Sequence, residues 1–218
     1  LDSYPRDLES DLETLQRVGA AAVFVPTVSQ IYPNGLEVNP PMEPGPIGDV
    51  LEGKARPGHF RGMLTVVQRL LTVTHAEFSF FGEKDYQQLT LVKAMVDFTK
   101  MPIQIVGVPT VRDESGLALS SRNRRLSTNA IEYARLIPSA MNKAAEVFLA
   151  TGSVLEAEAA GENILNECDK FEIDYFEIRS NDLYMGLRAV ISLVTTKSSA
   201  PIAFASDSLL GECENTVV

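Results

Sequence analysis

Apolar residues change their period several times along this chain, and each change predicts an element. Leu8, Leu12 and Leu15 repeat at helical spacing as far as Gly19, and the apolar run at 20–25 ends at Pro26, as a buried strand does. The next stretch carries Pro33-Asn34-Gly35, Pro40-Pro41 and Pro44-Gly45-Pro46, so it reads as an extended surface loop. Phe60, Met63, Leu64, Val67, Leu70 and Leu71 then form a helix stripe, and residues 78–81 a short strand. Leu89, Val92 and Val96 mark another helix, which leads into Ile103, Ile105, Val106 and Val108 before Pro109. Strands separated by helices long enough to cross over predict a parallel α/β sheet.

Beyond Pro109 the pattern differs. A polar loop runs to about Asn123, followed by one long helix over 128–150 that stops at Gly152. Ser153 and Glu156 have the spacing of a capping box for a further helix to about Glu167. Strand-like runs at 173–178, 189–194 and 202–205 close the chain and predict a small α+β domain with an antiparallel sheet. The expected division therefore falls at residues 110 and 111, with 1–110 and 111–218 as the two domains. The parallel part shows only three strand candidates, too few to bury both faces of a doubly wound sheet, so strands are expected upstream of the first residue.

Composition narrows the possible partners. The 218 residues are 45% apolar and 22% charged, with mean hydropathy near zero, as in a soluble globular protein. A formal charge of −10 argues against a nucleic-acid or membrane-surface binder, so an anionic substrate must be met by locally placed Lys and Arg. Cys168 and Cys213 lack metal-ligand spacing and the density of a secreted disulfide framework. Without an apolar leader or a spanning run, the cytoplasm is the expected location.

Candidate chemistry concentrates in two loops. FGEKDYQQL at 81–89 lies where a parallel strand gives way to its helix, the usual ligand position in open α/β sheets. Gly82 would admit a ligand close to the backbone, Lys84 supplies a point charge, and Gln88 offers donor and acceptor. Asp85 could cap the helix, hold Lys84 or bind a nucleotide hydroxyl. GLALSSRN at 116–123 sets Ser120, Ser121 and Arg122 behind a glycine turn, a donor set suited to a phosphoryl group whose charge develops during reaction. The same residues also suit a plain helix N-terminal turn. His59, ahead of the helix stripe, reads as a structural hydrogen-bonder or a proton-transfer group, and with only His75 besides it, His-His metal ligation has little support.

Taken together, YPR at 4–6, IYPNG at 31–35, LEGKARPGHFRG at 51–62, FGEKDYQQL and IVGVPTVRDESGLALSSRN at 105–123 resemble the pantoate–β-alanine ligase family. The resemblance covers residues 4–127, and beyond them extends only to the order of elements. It implies a Rossmann-like nucleotidyltransferase sheet, N-terminally incomplete here, with a smaller C-terminal α+β lid domain. It also implies ATP-dependent condensation of pantoate with β-alanine to pantothenate, through a pantoyl adenylate, with release of AMP and pyrophosphate. By the same resemblance Gly82, Glu83, Lys84 and Asp85 contact ATP, Val111 meets the adenine through its backbone, and Leu119, Ser120, Ser121 and Arg122 close on the phosphates. Lys84, Ser120, Ser121 and Arg122 would be the catalytic group, Gln88 would bind pantoate, Mg2+ would accompany ATP, and the assembly would be a homodimer. The family's HxGH strand, and the strand ending in an asparagine and glutamine loop, do not occur in this sequence, and Arg125 stands where an aromatic residue is usual. A catalytically incompetent product that folds, dimerises or binds nucleotide weakly is the alternative expectation.

Overall fold

The computed structural model describes residues 8–35, 37, 39–179, 188–191, 195–196 and 205–206. The YPR segment lies outside them. The chain divides into two compact units, Leu1–Val38 and Asn39–Val218.

In the first unit, helix α1 (Leu8–Arg17) carries Glu9 and Asp11 in its first turn and Arg17 in its last, charges placed to suit the helix dipole. Helix α2 (Val28–Ile31) starts from a complete capping box in which Thr27 and Gln30 each bond the other's backbone N–H. The strand expected at 20–25 is not formed. Among the described residues nothing pairs with this run, and Val23, Phe24 and Val25 stay 40%, 53% and 56% exposed. Apolar sequence supplies strand propensity, but only a neighbouring strand supplies the ladder.

The second unit begins with a 3-10 turn, Gly45–Asp49, and helix α3 (Glu52–Ala55), both inside the stretch expected to be plain loop. Helix α4 (His59–Thr74), strand β1 (Phe78–Gly82), a 3-10 turn (Glu83–Asp85), helix α5 (Tyr86–Thr99) and strand β2 (Gln104–Val108) follow as the periodicity predicts. β1 and β2 are parallel, in register from Phe78 opposite Gln104 to Gly82 opposite Val108. Phe60, Met63, Leu64 and Leu71 of α4 and Leu91, Val92, Met95 and Val96 of α5 form one core, against which Phe81, Ile103 and Ile105 pack. The alternate side chains of β1, Phe78 and Phe80, remain 51% and 67% exposed.

The single helix expected at 128–150 is two: α6 (Thr128–Ala134) and α7 (Leu136–Thr151). Pro138 explains the break, since it has no N–H for the Ala134 carbonyl and its ring crowds that carbonyl. Helix α8 (Val154–Asn166) is capped by Ser153 Oγ, which accepts from Glu156 N at 3.2 Å. The reciprocal half of the expected capping box is replaced by Ser153 N donating to Thr151 Oγ1 at 3.1 Å. α7 and α8 share a core that includes Ile137, Met141, Ala144, Ala157 and Leu165, closed by Phe176 and Ile178.

Of the strand expected at 173–178 only the end is formed, in β4 (Glu177–Arg179), and a separate short strand, β3 (Phe171–Glu172), precedes the expected range. With β5 (Arg188–Ile191), β6 (Thr195–Thr196) and β7 (Ala205–Ser206), they give antiparallel pairings β4–β5–β7 and β3–β6, the sheet type predicted. The remainder of the expected runs at 189–194 and 202–205 lies outside the described residues. Among the described residues no helix is long and apolar enough to cross a membrane.

Candidate active site

The first predicted loop leaves the carboxyl end of β1. Gly82 has extended backbone, φ −67° and ψ 132°, so no left-handed turn requires glycine there; a Cβ would instead point into open space, leaving room beside the backbone. At Gly107 on β2 a Cβ would come within 2.9 Å of Glu83 Oε1, the end of a side chain packed over the strand. Glu83 therefore lies across β2. Of the three readings of Asp85, the structure shows the pairing with Lys84, whose Nζ donates to Asp85 Oδ1 at 3.4 Å; the Asp85 side chain does not cap α5.

Gln88 is half-buried, whereas its neighbour Gln87 is buried and was missed in the sequence. Gln87 Nε2 donates to the Ile47 and Val50 carbonyls at 2.7 and 2.9 Å, and its Oε1 accepts from Glu52 N at 3.2 Å. One carboxamide thus satisfies three backbone groups of the 47–52 segment. A signal was present: Gln87 falls at helical spacing from the buried Leu91 and Met95.

The second loop is a tight hairpin followed by a short 3-10 helix. Leu119 N donates to Val111 O at 2.9 Å, and Arg112 pairs with Ala118. Asp113 Oδ1 accepts from Ser115 Oγ, Ser115 N and Leu117 N at 2.6, 2.9 and 3.0 Å; the Ser115 hydroxyl and these amides hold its carboxyl below the usual carboxylate range. Val111 and Leu119, opposite each other, are 64% and 53% exposed. Ser120 caps the 3-10 helix Ser121–Arg125 by accepting from Arg122 N at 3.2 Å, so the N-terminal-turn reading holds for it. Asn123 Nδ2 ties the helix back to Ala118 O at 3.0 Å.

His59 lies within electrostatic reach of both loops. Burial first, then the charges of Arg56 and Arg122, push its pKa below the ordinary 6.5, and Asp85 partly opposes them. One imidazole thus feels both Asp85 of the first loop and Arg122 of the second. Arg56 Nη1 lies 3.3 Å from His59 Nε2. A guanidinium can only donate, so Nε2 accepts and the neutral ring carries its proton on Nδ1. A cleft of ≈ 250 Å³ lined by Glu43, Pro44, Gly45, Gly48, Asp49, Gly58, Phe60 and Arg61 contains none of the predicted site residues. Among the described residues no group of three or more His, Cys, Asp or Glu could hold a metal ion.

A parallel strand–helix–strand unit with polar loops at its carboxyl end, followed by a helical and antiparallel C-terminal part, defines a nucleotidyltransferase-type α/β protein. A model of the family described as Pantoate-beta-alanine ligase matches residues 1–205, and the chain belongs to that family. It is 46% identical over 179 residues to the pantothenate synthetase of Mycolicibacterium smegmatis, covering 82% of this chain and 56% of the relative. The pantothenate synthetase of Thermus thermophilus is 46% identical over 175 residues, covering 80% of this chain and 63% of the relative. A crystal structure of the Thermus thermophilus protein superposes with a TM-score of 0.85 at 40% identity, covering 92% of this chain and 75% of that one. A pantoate-beta-alanine ligase from Francisella tularensis, solved in complex with beta-gamma ATP and beta-alanine, superposes with a TM-score of 0.65 at 34% identity, covering 82% and 64%. The chain thus spans little more than half the length of the first of these relatives.

Proposed function

We propose that this chain carries part of the active site of a ligase that condenses pantoate with β-alanine to pantothenate at the expense of ATP. The observation that carries the reading is the placement of the Gly82–Asp85 loop at the carboxyl end of parallel strand β1 in a chain matched over residues 1–205 by the ligase family. A pantoate carboxylate oxygen attacks the α-phosphorus of ATP and pyrophosphate leaves; the β-alanine amine then attacks the carbonyl carbon of the pantoyl adenylate and AMP leaves. Negative charge grows on the phosphoryl oxygens in the first step, where Lys84, the Ser120 and Ser121 hydroxyls and Arg122 act as donors. Ser120 can serve although it caps a helix, because the oxygen that accepts from Arg122 N still carries a hydroxyl proton. Gln88 orients pantoate. Gly82, Glu83 and Asp85 border the nucleotide, Val111 meets the adenine through its backbone, and Leu119 closes beside the phosphates.

Mg2+ belongs to this reading as the companion of ATP. Asp85 already accepts from Lys84 and Glu83 lies against β2, so the described residues offer no ready-made ligand set, and a magnesium ion on nucleotide phosphates needs none beyond one or two carboxylates and water. The ion would neutralise phosphate charge; no residue here is assigned to it. The division at residues 110 and 111, homodimer assembly and a cytoplasmic location complete the proposal.

The test is AMP formation dependent on both pantoate and β-alanine, measured for this chain alone and for a protein in which it is joined to the remainder that its longer relatives carry. Turnover only in the joined protein supports the ligase; absence of turnover in both sinks it. Lys84→Ala in the active form should lower adenylate formation about 10²–10³-fold while leaving thermal stability nearly unchanged. A second reading, a catalytically incompetent chain, draws on the span of the match, 56% of the Mycolicibacterium relative's length.

A further inference from the structure

Residues 51–59 join the α5 helix, the C-terminal part and the candidate site. Leu51, only 2% exposed, packs with Ile47, Val50, Tyr86 and Tyr175. Its backbone has a positive φ of 50°, unusual for a leucine, and Gln87 grips the segment on both sides of it. The side chains that leave this anchored segment form a continuous chain of hydrogen bonds. Tyr175 Oη donates to Glu52 Oε1 at 3.1 Å; Arg56 Nη1 lies 3.5 Å from Glu52 Oε2 and 3.3 Å from His59 Nε2. The two protons on that single nitrogen can serve the carboxylate and the imidazole together.

We propose that Tyr175 and Glu52 are positioning residues for this site: they hold the Arg56 guanidinium where it donates to His59 Nε2, and so fix the imidazole tautomer with its proton on Nδ1. Their action passes through Arg56. Arg56 is half exposed, its side chain keeping 47% of its accessible area, and without a second tether it would swing into solvent. The Glu52 carboxylate, with 16% of its area exposed, provides that tether, and the Tyr175 hydroxyl fixes the carboxylate in turn. Docking of Tyr175, which lies 123 residues further along the chain than Glu52, is thereby felt at the His59 imidazole, on which the charges of Asp85 and Arg122 also act. The charged groups acting on that imidazole are Arg56, Arg122 and Asp85.

The role in catalysis rests on the ligase reading, but the positioning itself can be read without turnover. Nitrogen-15 NMR of the ring nitrogens gives the tautomer and titration of each histidine, and the sequence has only His59 and His75 to assign. The unsubstituted chain should show His59 mainly as the Nδ1–H tautomer. Tyr175→Phe keeps the ring in its packing and changes no charge; it should mix the His59 tautomers and raise the titration midpoint towards that of an exposed histidine. Glu52→Gln should mix the tautomers in the same way and gives the same readout if Tyr175→Phe does not fold, while Arg56→Ala should abolish the preference. An unchanged His59 tautomer and titration in a folded Tyr175→Phe or Glu52→Gln protein, or in Arg56→Ala, overturns the proposal. In a joined protein that turns over, Tyr175→Phe should shift the acidic limb of kcat/KM to higher pH. A shifted NMR titration beside an unmoved kinetic limb overturns the catalytic role, whereas lack of turnover in the unsubstituted joined protein overturns the ligase reading alone.

Discussion

The 45–59 segment and the α7–α8 helix pair each contain a glycine against which another part of the chain packs closely, Gly53 and Gly161, yet they are held by different forces. α7 and α8 close on each other through apolar side chains, with Ile137, Met141, Ala144, Ala157 and Leu165 almost wholly removed from water. The 45–59 segment has almost no apolar content of its own beyond Ile47, Val50 and Leu51. It keeps its shape through the Gln87 carboxamide, a positive φ at Leu51 and a glycine pressed against backbone. Apolar packing is tolerant of volume changes because side chains can shift; polar clamping is not, because each buried group left unpaired costs about 1–3 kcal/mol. The rigid, polar, irregular segment is the one beside the candidate site.

Substituting the glycines should break this comparison most sharply. An alanine Cβ at position 53 would lie 1.8 Å from the Gly48 carbonyl oxygen, which is backbone and cannot rotate away. Gly53→Ala is expected to cost well over about 3 kcal/mol, at the upper end of overpacking effects, with loss of amide protection across 47–56 in hydrogen exchange. Retention of a native urea midpoint would show that the segment is far softer than its hydrogen bonds indicate. Gln87→Ala should follow, at about 2–3 kcal/mol, because it strips the side-chain partner from the Ile47 carbonyl and the Glu52 amide at once, while the Val50 carbonyl keeps the Gly53 amide at 2.9 Å. Gln88→Ala, one residue away, should change stability by less than about 1 kcal/mol. Equal effects at the two positions would erase the distinction between clamp and site.

In the helical part the corresponding change is milder. A Cβ at Gly161 would approach Phe176 Cζ to 2.1 Å, but that atom is the end of a side chain, just ahead of β4, and not backbone. Gly161→Ala should cost about 1–3 kcal/mol, read as a lower melting temperature with α8 amides still protected. A larger loss than for Gly53→Ala would reverse the order of rigidity.

Helices α4 and α5 were legible because hydrophobic period specifies them: the stripe from Phe60 to Leu71 gave α4 almost to its ends, whereas the short α3 in the 45–59 segment has no such stripe. Parallel pairing of β1 with β2 followed from their crossover helix. The run at 20–25 misled, since strand propensity does not reveal whether a partner strand is present, and the α6–α7 break was missed because Pro138 sat inside an otherwise unbroken apolar pattern. At the site, Lys84 and Arg122 could be picked out as charges on loops and Gln87 as a position on the buried face of α5, whereas the bonds Gln87 makes and the Tyr175–Glu52 bond could not. A glutamine gives no sign from sequence that it will bond backbone forty residues away, and the tyrosine's partner is set by tertiary packing. The two loops were visible singly; that charges of both act on His59 was not.

The smallest effect, and the most local, is expected from acidification. Burial, with the charges of Arg56 and Arg122, lowers the His59 pKa in the folded state below 6.5, so the unfolded chain takes up the proton more readily. Stability contributed by neutral His59 is therefore fully present above the unfolded value and is lost as pH falls through it. Since Asp85 opposes the shift and the ring is half exposed, the loss should be modest. Between about pH 8 and pH 5, the stability of the unsubstituted chain should fall slightly more than that of His59→Gln, in which the group that titrates is absent. Hydrogen exchange locates the effect: amides of 52–60 should open first, while those of α7 and α8, which contain no histidine, keep their protection. Uniform loosening of both regions, or an identical pH slope in His59→Gln, would place the titrating group elsewhere than at His59.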